Sequence, residues 1–327
     1  MARAGTHWSL IKRIKTDMNN LLSILSKEEY ISLTLRELYS GLGYQKYRMS
    51  KFEEYDLYVK NKDFLVSENV ITFTDTNGKL LALKPDVTLS IVKNSKDVDG
   101  VMKVYYDEKV YRVSKGTKSF KEISQSGLEC IGKIDEEVIS EVLYLAGKSL
   151  DLISKDNVLV VSNLNVISGV LDYLKVGSES KAKIIKLLGD KNLFAIKDLL
   201  KEENIKGDNC DLITSLVTVY GEAQKTLPTL DRFIVDKSTE KAVNDLKNAV
   251  NSAILKGLLS DKIIIDFSVV NDMKYYNGIA FKGFVEGIPT GILSGGQYDN
   301  LMKKMNKRYG AIGFAVYLDE VSRLKGE

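Results

Sequence analysis

The sequence predicts an α+β fold: an antiparallel sheet flanked by helices, with a helical insertion at about residues 164–260. Three observations carry this. Alternating apolar runs come in hairpin-like pairs on either side of the insertion. Helical periodicity marks both the start of the chain and the segment after Asp135. Between about 164 and 260 glycine is sparse and the apolar positions fall at helical spacing.

From the N-terminus, Leu33, Leu35, Leu38 and Tyr39 recur as one helix face, and Gly41 and Gly43 supply the stop near Gly43. Asn77-Gly78 lies between two alternating runs in the stretch from Asn69 to Leu83. It predicts a hairpin closed by a type I′ turn, whose two central residues need positive φ. Residues 101–113 and 119–131 read as two strands joined by the polar loop Ser114-Lys-Gly-Thr-Lys. From Asp135 to about Ile153 a helix follows: Val138, Val142, Leu145 and Leu152 share a face, and acidic residues sit in its first turn where the dipole favours them. Asn157 to Ser162 is a short buried strand. In the insertion, Ala182, Ile185, Leu188, Leu199 and Leu200 set the helical spacing. Strands then return at Ile263-Ile-Ile-Asp-Phe, from Tyr275 to Val285, and at Gly291-Ile-Leu. The glycine-rich Ser294-Gly-Gly-Gln-Tyr-Asp-Asn-Leu follows, then a strand from Tyr309 to Tyr317 and a short final helix.

Composition narrows the chemistry. The chain has 327 residues, 44% apolar and 28% charged, with a formal charge of +3 and dispersed basic residues. That balance gives no electrostatic argument for a nucleic-acid partner. The only histidine is His7 and the only cysteines are Cys130 and Cys210, too few for a structural zinc site that normally takes four Cys/His ligands. His7 is the one candidate histidine base, in an N-terminal segment of the kind that frays, and it is not assigned a catalytic role. No apolar run suggests a signal peptide or a membrane span, and two unpaired cysteines are expected of the reducing cytoplasm. Gly295-Gly296 lacks the lysine-serine that a phosphate loop needs, so these glycines are expected to let backbone approach whatever fills the neighbouring cavity.

Four stretches, in order, resemble the histidyl-tRNA synthetase family. Leu81-Ala-Leu-Lys-Pro-Asp-Val-Thr is similar to its TLRPEGT segment. Val110-Tyr-Arg with Ile123-Ser-Gln-Ser-Gly-Leu-Glu-Cys-Ile-Gly is similar to the class II motif 2 strands. Tyr275-Tyr-Asn-Gly-Ile-Ala-Phe is similar to the histidine-specific YYTG segment. Gly295-Gly-Gln-Tyr-Asp-Asn-Leu with Gly313-Phe-Ala-Val-Tyr-Leu is similar to the GGRYD and motif 3 region. The resemblance covers residues 20–325 and implies a class II synthetase-like core over the whole chain, 1–327. The chain stops at Glu327, so no anticodon-binding domain is expected.

By that resemblance, Asp86, Thr88, Gln125, Glu129, Tyr276 and Tyr298 match the histidine pocket. Glu129 lies between Leu128 and Cys130 in a strand, so alternation points it away from both. The nucleotide positions depart from the pattern. Arg112 matches the motif 2 arginine, but Ser114 stands at the motif 2 glutamate, Asn271 at the histidine-specific arginine and Glu320 at the motif 3 arginine. A guanidinium grips phosphate bidentately and keeps its proton. Each charge-assisted bond is worth about 1.5–3 kcal/mol, so two losses at the transition state remove orders of magnitude in rate. The site is therefore expected to keep an amino acid and to have lost adenylation.

Synthetase-like chains of this pattern resemble the regulatory subunit of ATP phosphoribosyltransferase, the first enzyme of histidine biosynthesis. The resemblance implies a non-catalytic subunit needed for activity and for histidine feedback, with a short-form catalytic subunit as partner, histidine as ligand, and no cofactor, tRNA or membrane. It further implies a homodimer within a hetero-oligomer, formed near the N-terminal helices and the strand around Tyr44 to Met49. Two alternatives differ in class: an active synthetase fragment, against which Asn271 and Glu320 speak, and an amino-acid-sensing paralogue.

Overall fold

The structure, a computed structural model, describes residues 24–65, 69–97, 99–113, 119–270 and 275–324. His7, Ser114 and Asn271 lie outside the described residues.

Helix α1 (Lys27–Gly41) starts at a capping box, in which Ser26 accepts from the Glu29 amide and Glu29 reaches back to the Ser26 amide. It buries Leu35 and Tyr39 and leaves Leu33 exposed. After the two-residue β1 (Gln45–Lys46) comes a small sheet, β2 (Phe52–Glu54), β3 (Thr72–Thr74) and β4 (Leu80–Leu83), in the order β2-β4-β3. The expected hairpin forms, but not with the expected turn: Gly78 has φ +79° and Asn77 is not among the positive-φ residues. Asp75 closes the loop instead, its carboxylate accepting from the Asn77 and Lys79 amides and its amide donating to the Lys79 carbonyl. One left-handed residue is enough once an aspartate ties the loop.

The main sheet is built on the long hairpin β5 (Val101–Val113) and β6 (Phe120–Gly132), thirteen residues each and paired from end to end. Helix α2 (Glu136–Ile153) follows, capped by Asp135, whose carboxylate accepts from the Val138 amide. Then come β7 (Asn157–Asn163), the inserted helices, and β8 (Tyr220–Glu222), β9 (Ile263–Asp266), β10 (Ile279–Val285), β11 (Leu293–Gln297) and β12 (Gly310–Tyr317). Their order across the nine-stranded sheet is β1-β5-β6-β12-β11-β10-β7-β9-β8. The sheet is antiparallel except for the β1–β5 and β7–β9 pairs, which are parallel.

Three expectations are revised. The segment 164–260 is not purely helical, because β8 adds an edge strand to the main sheet through antiparallel pairing with β9. The β10 strand begins at Ile279 rather than Tyr275. The strand expected at Gly291-Ile-Leu runs instead from Leu293 to Gln297, taking in the first residues of the glycine-rich stretch.

The two sheet faces carry two cores. Leu128, Cys130, Ile312, Phe314 and Val316 belong to the larger one, with the α2 face and the insertion. Val104, Tyr106, Ile131 and Ala311 belong to the smaller, with Tyr58, Val87, Leu89 and Tyr298 beneath the three-stranded sheet. The candidate site opens on this second face. No helix among the described residues is long and apolar enough to cross a membrane.

Candidate functional site

A cavity of about 120 Å³ lies over β6, β12 and β11, lined by Asp86, Thr88, Tyr106, Arg112, Gln125, Glu129, Tyr275, Tyr276, Ser294, Tyr298 and Tyr317, among others. All six residues matched to an amino-acid pocket therefore meet in one place, together with Arg112. Glu320 does not line it. It lies on the short helix after β12, where its carboxylate accepts from Thr290 (3.1 Å) and pairs with Arg323 (2.7 Å) just past the helix end.

The most buried charged residue of the lining is Glu129, 2% exposed. Strand alternation sends it to the cavity while Leu128 and Cys130 enter the larger core. Its room is made by Gly313, which faces it across the β6–β12 register. A Cβ at Gly313 would fall 1.8 Å from the Glu129 carboxylate and 2.4 Å from the Leu128 carbonyl. Two neutral hydroxyls hold the carboxylate: Thr88 donates to one oxygen (2.7 Å) and Tyr298 to the other (2.6 Å). Burial outweighs these bonds and pushes the Glu129 carboxyl up to about 8, with the nearby Asp86 charge adding to the rise. A carboxylate so placed is most stable when a cation joins it.

Asp86 sits at the turn into the helix Thr88–Asn94, where its carboxylate accepts from the Leu89 amide (2.9 Å). Burial raises its carboxyl from the ordinary value and Arg112 opposes the rise. Arg112 is nearly buried. It donates Nε to the Pro85 carbonyl (2.7 Å) and places a terminal nitrogen 3.5 Å from Asp86. Part of the guanidinium is thus turned to the Pro85–Asp86 corner while Arg112 still lines the cavity. The same corner is anchored by Lys84, fully buried, whose ammonium reaches Glu108 at 2.8 Å.

The aromatic wall comes from two directions. Tyr275 packs against Tyr276 (centroids 4.9 Å apart) and Tyr298 (5.8 Å). The Tyr275–Gly278 segment is fixed against β11: the Asn277 amide donates to the Gln297 carbonyl, and the Gln297 side chain accepts from the Ile279 amide. Gly278 has φ +84°, and a Cβ there would strike the Gln297 amide oxygen at 2.3 Å. Gly296 lets Tyr276 lie on the strand, since a Cβ there would come within 2.9 Å of the ring.

Tyr106, Ser294, Gly313 and Tyr317 were not named as site residues from sequence. The signal was present in part: a glycine inside a strand marks close approach of another group. Tyr106 is signalled only by the register that sets it opposite Gly127, whose missing Cβ makes room for the phenol. No group of metal-ligating side chains occurs among the described residues.

Comparisons with known proteins agree with this geometry. A family model described as histidyl-tRNA synthetase matches residues 21–321. The chain is 32% identical over 293 residues to the ATP phosphoribosyltransferase regulatory subunit of Caldanaerobacter subterraneus subsp. tengcongensis, covering 88% of this chain and 75% of that one. It is 26% identical over 293 residues to the subunit of the same name from Acetivibrio thermocellus, covering 88% and 70%. Two solved structures share the fold. One is an ATP phosphoribosyltransferase regulatory subunit/histidyl-tRNA synthetase from Bacillus halodurans, with TM-score 0.80, 21% identity, and 92% and 80% of the chains covered. The other is the ATP phosphoribosyl transferase (HisG:HisZ) complex from Thermotoga maritima, with TM-score 0.70, 17% identity, and 89% and 97% covered. With most of its length matched by the synthetase model and most of its length aligned to these subunits, the chain belongs to the histidyl-tRNA-synthetase-like family of ATP phosphoribosyltransferase regulatory subunits.

Proposed function

We propose that this chain is a non-catalytic subunit that acts with a short catalytic ATP phosphoribosyltransferase subunit in the first step of histidine biosynthesis. In this role it is needed for activity and carries feedback inhibition by histidine. The observation that carries the proposal is the character of the cavity. At about 120 Å³ it falls well below the usual size of sites for drug-sized ligands. It is acidic and aromatic, and its one arginine is already bound to Pro85 and Asp86. A polyanionic nucleotide finds little room there and meets two carboxylates against one arginine among the described lining residues. A small cationic guest finds Glu129, Asp86, the hydroxyls of Thr88 and Tyr298, the Gln125 amide and the Tyr275–Tyr276 wall.

In this scheme the imidazole or ammonium of histidine replaces the proton on Glu129, and the rings of Tyr276 and Tyr298 sandwich the ligand. Binding that favours one assembly over another by about 1–3 kcal/mol suffices for feedback. The assembly is a homodimer within a hetero-oligomer, and a second copy meets the first near α1 and β1, where the sheet ends. The protein works in the cytoplasm without tRNA or cofactor.

The test is reconstitution. Mixed with a short-form catalytic subunit, the chain should yield phosphoribosyl-ATP at a rate neither component gives alone, and added histidine should lower it. Histidine-dependent ATP–pyrophosphate exchange by the isolated chain would overturn the non-catalytic role. Activity of the catalytic subunit that is indifferent to this chain would overturn the partnership.

A further inference from the structure

Among the described residues, three buried side-chain oxygens have no hydrogen-bond partner: those of Tyr58, Ser162 and Tyr275. A buried hydroxyl normally finds a partner, because folding strips away the water that would otherwise satisfy it. Of the three, only Tyr275 lines the cavity. The residue as a whole is half-buried, but its oxygen is closed to solvent.

Packing does not explain that oxygen. The Tyr275 ring meets Phe64 (centroids 6.2 Å apart) and Tyr276 (4.9 Å) edge to face and leans against Tyr298 (5.8 Å). A phenylalanine would fill the same place against the same three rings. The surroundings are more telling. Burial pushes the hydroxyl well above its ordinary range, and the charges of Asp86 and Glu129 push it further. The Thr88 hydroxyl lies beside it but turns its own proton to Glu129, and no hydrogen bond joins the two. Tyr275 therefore stays neutral, with its lone pairs uncommitted next to two carboxylates.

That oxygen completes a set. An imidazole N–H asks for one acceptor, whereas an ammonium carries three N–H groups. Asp86 offers a carboxylate oxygen that Arg112 holds only at 3.5 Å, the Leu89 amide having taken the other. Thr88 keeps lone pairs after giving its proton to Glu129. The third acceptor is Tyr275.

We propose that Tyr275 is a specificity-determining residue of this cavity: its hydroxyl accepts an N–H of the guest's α-ammonium, beside Asp86 and Thr88, and Glu129 is left to the imidazole. This rests on the histidine-binding role proposed above and names the group that selects a free amino group.

Titration calorimetry and thermal unfolding of the full chain test the assignment. Tyr275→Phe should bind L-histidine about tenfold to a hundredfold more weakly, the range of one hydrogen bond to a charged group. It should nevertheless melt no lower than the wild type, because it deletes an oxygen that has no partner. Tyr58→Phe deletes a hydroxyl of the same kind outside the cavity lining, and should leave histidine affinity unchanged. Imidazolepropionate, which is histidine without its ammonium, should bind the wild type and Tyr275→Phe alike. Unchanged histidine affinity in Tyr275→Phe would overturn the proposal. A clearly lower melting temperature would overturn it too, by showing the hydroxyl to be held within the protein. An equal loss for imidazolepropionate would move the hydroxyl to the ring and end the assignment to the ammonium. If the wild type bound no histidine, the histidine site itself would fall, and the role of Tyr275 with it.

Discussion

Two glutamates attached to the same strand pair have opposite fates. Glu129, on β6 against β12, is sealed from water and held only by hydroxyls. Glu320, just past the end of β12, is partly exposed and bonded to Arg323 and Thr290. Farther from the strand centre the described charges have partners within the protein: Glu320 in Arg323 and, at 3.5 Å, Asp86 in Arg112. At the inner end the charge is left for a guest. The difference shows how a synthetase-like scaffold can keep amino-acid recognition while discarding phosphate chemistry. The deep half of the site is defined by burial, and the outer half only by which side chains remain uncommitted.

The largest expected effect comes from neutralising the inner end. In the folded protein Glu129 has its carboxyl raised from 4.5 to about 8, so the native state holds a proton that the unfolded chain releases. Folding then weakens as pH rises from about 4.5 to about 8 and levels off above, at up to about 1.4 kcal/mol per pH unit. Glu129→Gln should abolish histidine binding by calorimetry. It should also flatten this slope, being more stable than the wild type by a few kcal/mol near pH 8.5 and little different near pH 4.5. Parallel unfolding curves for the two proteins across that range would break the contrast between the inner and outer ends. Gly313→Ala comes next. Its methyl must displace either the Glu129 carboxylate or the Leu128 carbonyl, at about 3 kcal/mol of stability, and histidine binding should go with it. An unchanged melting temperature with normal binding would show that the strand shifts freely.

The inner end was also the part most legible in the sequence. The strand containing Gln125 and Glu129 is long enough for period-2 alternation to fix which side chains face the cavity, and Asp135 marks the end of the segment as a helix cap. Four of the six matched residues lie in described strands or helices or directly beside them, where local pattern is strong. The β8 strand could not be found this way: three residues have no readable period, and its place depends on pairing with β9 some forty residues later. Nor could the true turn at Gly78, because Asp75 acts through side-chain bonds that a dipeptide signal omits. Lys84 is fully buried, unusual for a lysine, and its place depends on Glu108 on another strand, which no local pattern reports. Sequence patterns report the face of an element well and the partner across space poorly.

Lys84 sharpens the comparison at a smaller scale. Its pair with Glu108 holds the corner that carries Asp86 and that Arg112 reaches from β5, and Glu108 remains about one-fifth exposed. Lys84→Met fills the same volume, and water reaches the abandoned carboxylate. The expected loss is about 2 kcal/mol of stability by denaturant unfolding, with histidine affinity reduced about tenfold as the corner loosens. A stability loss with unchanged affinity would assign Lys84 to the scaffold alone.

The smallest effect is expected where a synthetase-based intuition predicts the largest. Glu320→Arg returns an arginine to the position matched to motif 3, yet it should alter stability by less than about 1 kcal/mol, because the pair it breaks is partly exposed and joins residues only three apart in sequence. It should not create ATP–pyrophosphate exchange either. Arg112 stays committed to Pro85 and Asp86, and the cavity stays too small for a nucleotide, neither of which depends on Glu320. If one substitution restored exchange, the outer end would differ from a synthetase by that charge alone. Continued silence would place the loss of nucleotide chemistry in the whole arrangement of the corner, where several side chains have been redirected toward each other.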